Sequence, residues 1–258
     1  TVHTLSTPDQ DATASLVKLA VALGATQAQP RLQAAVRPGR PRGKLTAPKV
    51  CKAVGHLLPE NAILIDEAIT SGLMLGAMTA GCPRHDLITL TGGAIGQGLP
   101  NAVGAAVACP DRPVVALVGD GTAMYTIQAL WSMARENLHV VSIIFNNASY
   151  SVLNVELERV GADSGGVKAR SQLDLNGPRL NFAQLAQGMG VHAVRTNTAE
   201  DFTKALEYAL ATPGPHLIEA LVPESLSGVK RRVLPWLLRS LPNLPLPLAQ
   251  ALKRKVAP

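Results

Sequence analysis

No apolar run in this 258-residue chain approaches the roughly 20 residues that a bilayer-spanning helix requires, and its start lacks the basic-then-apolar pattern of a signal peptide. A soluble, cytoplasmic protein acting away from membranes is expected. Three scattered cysteines, Cys51, Cys82 and Cys109, offer neither a CxxC pair, nor Cys/His ligand spacing, nor an even disulfide framework, which favours a reducing compartment. No Gly-Lys-Ser/Thr phosphate loop occurs. Acids are missing from the end of the chain: from Ser225 onward there are seven cations (Lys230, Arg231, Arg232, Arg239, Lys253, Arg254, Lys255) and no Asp or Glu. Of the 24 Lys and Arg, 17 then remain against 18 acids, so the basic balance belongs to the tail and nucleic-acid binding by the main body has little support.

What is present is a hydrophobic content of 47%, enough for one substantial core and a smaller appendage. The chain opens at Thr1 shortly before an amphipathic pattern over 12–23, as though cut from something longer. Pro30, Pro38, Pro41 and Pro48 alternate with Arg37, Arg40, Arg42 and Lys44, the composition of an extended linker. Beyond it, periodicity predicts helix 47–57, strand 62–66, helix 71–79, strand 86–90, helix 99–108, strand 114–118, helix 123–136 and strand 139–145. A helix from Phe182, strand 191–194, a helix opened by the capping signal Thr198-Ala199-Glu200-Asp201, and strand 216–222 complete the pattern. Alternating strands and helices predict an α/β fold, a doubly wound, mostly parallel six-stranded sheet with helices on both faces. The stretch 163–178, rich in Gly, Ser and Asp, reads as a mobile surface loop. The expected domains are 1–36, a linker 37–46, a main domain 47–224 and a basic, proline-containing tail 225–258.

Two polar clusters stand where strand patterns stop. Gly119-Asp120-Gly121 follows Val114-Val115-Ala116-Leu117-Val118, and Asn146-Asn147 follows Val140-Val141-Ser142-Ile143-Ile144-Phe145. Parallel strands joined by a helix bring both clusters to one sheet edge, where open α/β folds place ligands. A carboxylate and a carboxamide oxygen suit a hard divalent cation such as Mg²⁺, whose remaining ligands are waters and phosphate oxygens. Gly121 allows close approach of a phosphate, and a helix starting near Thr122 would offer free amides. Asp-Gly and Asn-Asn are also ordinary turn residues, and each cluster alone carries that reading. A third cluster, Thr91 to Pro100, holds Gly92, Gly93, Gly96 and Gly98; it fails as a dinucleotide fingerprint because Asn101 stands where the last Gly or Ala belongs. Glu67-Ala68-Ile69-Thr70-Ser71 ends another strand, where its hydroxyls could meet phosphate oxygens or cap a helix. A magnesium-dependent phosphoryl-transfer enzyme would need a Lys or Arg clamp near Asp120, which the glycine-rich turns lack.

Gly-Asp-Gly followed after about 25 residues by Asn-Asn resembles the cofactor motif of the thiamin diphosphate-dependent superfamily of 2-oxo acid decarboxylases and acetolactate synthases. The likeness runs from about residue 47 to 223, through Glu67, the 92–100 turn and His216-Leu217-Ile218-Glu219-Ala220. It implies the C-terminal, diphosphate-binding domain of such an enzyme, preceded over 1–36 by the end of a middle domain. The cofactors implied are thiamin diphosphate and Mg²⁺. Asp120, Asn147 and the Ser149 carbonyl would hold the metal. Thr70, Gly121 and Thr122 would hold the diphosphate, Ile69 and Gly119 would also bind the cofactor, Gly93 would meet the aminopyrimidine, Ile95 would prop the bent cofactor, and Tyr150 and Val152 would face cofactor or substrate. The segment Gly121 to Trp131 is similar to benzoylformate decarboxylases and acetolactate synthase large subunit-like proteins. Ala148 to Asn154 departs from the Gln-His-Leu-Gly-Met-Val pattern of authentic acetolactate synthases. The activating glutamate is expected outside this chain, on a pyrimidine-binding domain through which a homodimer or homotetramer would form. The substrate would be a small 2-oxo acid; the alternative is a non-catalytic, cofactor-binding or regulatory fragment. His192 and His216, on strand patterns, read as core or surface residues.

Overall fold

The structure, a computed structural model, describes residues 2–29, 32–160 and 166–224. The expected basic tail, 225–258, lies outside those residues, as do 163–165 of the expected loop. Contacts divide the chain into two units, 1–34 and 35–258. The first holds helix α1 (Ala12–Ala22), whose N-cap Asp11 accepts a hydrogen bond from the Ala14 amide; none of its residues is buried.

The second unit runs α2 (Ala47–Leu57), β1 (Ala62–Glu67), α3 (Leu75–Thr79), β2 (His85–Thr89), α4 (Gly98–Ala108), β3 (Val114–Gly119), α5 (Asp120–Ala123), α6 (Ala129–Arg135), β4 (Val140–Asn146), α7 (Ser151–Arg159), α8 (Val167–Ser171), α9 (Phe182–Gly188), β5 (His192–Thr196), α10 (Ala199–Ala211) and β6 (His216–Leu221). Six parallel strands form one sheet in the order β2-β1-β3-β4-β6-β5. Their apolar runs are buried on both faces because successive side chains point oppositely. On one face Leu64, Leu117, Ile143 and Ile218 pack against Val50, Val54, Phe202 and Leu206 of α2 and α10. On the other, Ile65, Ala116, Val118 and Ile144 meet Leu99, Leu130, Met133 and Phe182 of α4, α6 and α9. Edge strand β2 is the exception, with Asp86 to Thr89 exposed.

Strand order fixes where a ligand can enter. From β1 the chain crosses to β2 on one side, while β3 lies on the other, so the loops leaving β1 and β3 diverge and open a crevice. Register keeps the ends level: Glu67 pairs with Val118, and Gly119 with Phe145.

Three expectations are revised. The helix expected over 123–136 is broken, α5 and α6 being joined by turns in which Tyr125, Thr126 and Ala129 amides donate to carbonyls three residues back. The cause is tertiary: the Thr126 hydroxyl donates to the Gly96 carbonyl at 2.7 Å, docking the glycine-rich turn there. Segment 37–46 is extended but anchored, with Arg40 bidentate on Glu207 of α10 (2.7 and 2.8 Å), the Gly43 amide donating to Glu200, and Leu45 fully buried. Within the expected 163–178 loop stand α8 and an antiparallel bridge from Asp174 to Ser149. Among the described residues no helix is long and apolar enough to cross a membrane.

Candidate functional site

Glu67 organises the crevice. Its carboxylate is buried where β1 ends, and it accepts hydrogen bonds from the backbone amides of Gly96, Gln97 (3.1 Å) and Gly98 (2.7 Å). It thereby satisfies the amides that open α4 and pins the C-terminal half of the glycine-rich turn. Glycine is required at 98, because a Cβ there would sit 2.5 Å from Glu67 Oε2. The other half of the turn, Thr91 to Ile95, stays exposed, Ile95 at 39%.

Across the crevice Asp120 is the first residue of the four-residue α5, with Gly119 as N-cap, so the long helix whose dipole was expected to begin near Thr122 is absent. The Asp120 carboxylate is 3% exposed; Oδ1 accepts from the Gly121 amide (2.8 Å) and Oδ2 from the Ala148 amide (2.6 Å). That second bond ties the end of β3 to the turn after β4. Burial pushes its pKa up to about 6 against the opposing pull of these amides, and no cationic side chain contributes. A buried, uncompensated carboxylate fits a cation.

The turn after β4 supplies further oxygens. Asn147 Oδ1 accepts from the Ser149 amide at 2.9 Å and retains a second lone pair. The Ala148 carbonyl accepts from Leu175, and the Tyr150 amide donates to Leu173. Among the described residues no group of three or more His, Cys, Asp or Glu is placed to hold a metal ion. A cation at Asp120 would therefore draw on amide and carbonyl oxygens and on the ligand's own phosphates, a set that suits Mg²⁺ rather than a softer ion.

Of the residues singled out in the sequence, Asp120, Gly119, Gly121, Thr122, Asn147, Ser149 and Tyr150 come together at the ends of β3 and β4, and Ile69 and Thr70 lie in the turn after β1. The Thr122 hydroxyl is spent on the Gly119 carbonyl at 2.9 Å, leaving only its amide for a ligand. The Tyr150 ring sits against Gly121, occupying the space a Cβ would need, and its phenol pKa is raised by burial and then by Tyr125 and Asp120. Val152, 38% exposed, sits on the first turn of α7, while Gly93 belongs to the exposed half of the glycine-rich turn. Two non-glycine residues with positive φ flank the crevice, Ile69 (51°) and Ala148 (55°). For a β-branched residue that conformation costs about 1–3 kcal/mol, strain that concentrates at functional positions.

Sequence reasoning missed two supports. One is the Glu67 clasp, signalled only by an acid ending a buried apolar strand. The other holds Asn146: its side-chain amide donates to Glu219 Oε1 at 2.7 Å, and the fully buried Glu219 also receives Arg195 at 3.0 and 3.1 Å and the Ala183 amide. Asn146 thus serves the core, leaving Asn147 for the crevice.

The sequence profile described as thiamine pyrophosphate enzyme, C-terminal TPP binding domain, matches residues 72–220. A protein of Mycobacterium tuberculosis provisionally named acetolactate synthase large subunit IlvX is 52% identical over 223 residues, covering 86% of this chain and 43% of that protein. A benzoylformate decarboxylase of Pseudomonas aeruginosa is 33% identical, covering 75% of this chain and 35% of the enzyme. The solved structure of a Rhodococcus jostii thiamine diphosphate-dependent 4-hydroxybenzoylformate decarboxylase superposes with a TM-score of 0.63 at 34% identity, over 76% of this chain and 35% of that one. The chain therefore spans less than half the length of these relatives.

Proposed function

Because the chain belongs to the thiamine pyrophosphate enzyme family, as its C-terminal TPP-binding domain, we propose that it is the cofactor-anchoring part of a 2-oxo acid decarboxylase or carboligase, acetolactate synthase-like or benzoylformate decarboxylase-like. The observation that carries this reading is the buried Asp120 carboxylate, without a cationic partner, tied to the turn that presents Asn147 and Ser149. Asp120, the Asn147 side chain and the Ser149 carbonyl hold Mg²⁺. The amides of Gly121 and Thr122, with Thr70 and Ile69, line the diphosphate; Gly93 and Ile95 face the pyrimidine side, and Tyr150 and Val152 the reacting end. When bound, thiamin diphosphate supplies the electron sink that 2-oxo acid chemistry requires. The chain's own residues bind and orient; the proton relay belongs to a pyrimidine-binding domain in a larger assembly.

Manganese in place of magnesium tests the metal assignment. With thiamin diphosphate present, the amide resonances of Gly121, Ala148 and Ser149 are expected to broaden while those of Val114 and Val140, at the far strand ends, stay sharp. Broadening centred elsewhere would overturn it.

This 258-residue chain by itself is expected to release no carbon dioxide from benzoylformate or pyruvate above the level given by free cofactor and Mg²⁺. Glu67, a buried acid beside the crevice, is committed to three backbone amides and turned away from proton transfer. Steady turnover that vanishes in Glu67→Gln would show the reverse.

A further inference from the structure

At the end of the sheet opposite Asp120, β5 and β6 begin with paired histidines. Register sets His192 directly across from His216, so both imidazoles emerge on the same face. Their Nδ1 atoms are 3.4 Å apart and their ring centres 5.4 Å. Beside them the Tyr208 ring of α10 stands 5.4 Å from His192 and 5.7 Å from His216, centre to centre.

The tautomer of His216 follows from its other nitrogen. Nε2 lies 2.9 Å from the Thr212 carbonyl, which can only accept, so Nε2 carries the hydrogen and Nδ1 offers a lone pair towards His192. His139 makes the equivalent contact to Ala209, so these two histidines anchor the end of α10. An imidazole whose far N–H is fixed on a backbone carbonyl is oriented as metal-ligating histidines are. Burial lowers the pKa of His216, which keeps that lone pair free at neutral pH.

At 3.4 Å the Nδ1–Nδ1 contact is at the long end for a hydrogen bond, beyond the roughly 2.7–3.2 Å of N–H···O bonds, and a linear one of that length would set the ring centres about 5.8 Å apart. Two imidazole nitrogens bound at about 2.05 Å to one tetrahedral ion lie about 3.35 Å apart, with ring centres about 5.3 Å apart. Both observed distances match the second arrangement. We propose that His192 and His216 form a two-histidine site for a borderline divalent transition ion of the Zn²⁺ class, with water in the remaining positions, stapling edge strand β5 to β6. The site takes a softer ion than the oxygen crevice and lies at the other end of the strands, so it is independent of the cofactor.

Calorimetric titration of the full chain with zinc chloride, in buffer free of phosphate and magnesium, tests it. His192 is exposed, so His192→Ala folds, and it is expected to weaken the tightest zinc-binding event by at least about tenfold. Zinc should also shift the ring resonances of His192 and His216 together and raise the melting temperature of the unsubstituted chain but not of His192→Ala. Equal zinc affinity in the two proteins, or unshifted His192 and His216 resonances at saturating zinc, would overturn the site and leave an imidazole–imidazole hydrogen bond.

Discussion

On the proposed site, Asp120→Ala is expected to weaken magnesium-dependent thiamin diphosphate binding by more than about 100-fold, since a hard cation there would lose its one charged protein ligand. Stability should change far less. The substitution gives up hydrogen bonds from Gly121 and Ala148 but also removes a buried charge that no cation offsets. In the native chain the pH dependence has a definite sign. Folding raises this carboxyl from 3.8 to about 6, so the folded state holds the proton more tightly than the unfolded chain does. Asp120 therefore subtracts stability as pH climbs through that interval, and a cation bound there would restore it. Cofactor affinity should accordingly fall as pH drops below about 6, where protons compete with the metal. Calorimetry at pH 5 and 7.5 with and without EDTA checks both statements; unchanged affinity in Asp120→Ala would remove the metal from this position.

Glu67→Ala should be the most destabilising single change at the crevice, because it orphans three backbone amides at once. Each unsatisfied buried donor costs about 1–3 kcal/mol, and water entering beside the exposed 91–95 segment holds the total near the lower end, about 3 kcal/mol. Glu67→Gln keeps one acceptor and should lose less. Urea denaturation reads the difference as a lower midpoint at unchanged slope. A midpoint equal to that of the native chain would mean that the Gly96–Gly98 turn is held by Thr126 alone.

The strand ends were legible in the sequence because two parallel apolar runs separated by a helix leave their following residues level, and the sheet register places Gly119 beside Phe145. Interactions between distant segments were not legible. Helical spacing over 123–136 gives no hint that Tyr125 and Thr126 support a glycine turn 30 residues upstream. Asn146 and Asn147 look equivalent as letters, and only the partner Glu219, 73 residues away, turns the first inward. Polar composition likewise concealed α8, and the three amides that Glu67 serves lie 29 to 31 residues from it.

The glycine-rich turn, held at one end and open at the other, divides the crevice by evolutionary latitude. At Gly98 and Gly121 an added side chain collides with Glu67 or Tyr150, and at Gly96 with Tyr125, so drift there is penalised through folding before chemistry is involved. Thr91, Ala94 and Ile95 rest on exposed backbone beside edge strand β2 and can be exchanged at little cost to the fold, whereas Gly92 and Gly93 are kept by their positive φ of 63° and 73°. The fold is thus secured by one half of the turn, and the exposed side chains of the other half can vary while the first stays unchanged.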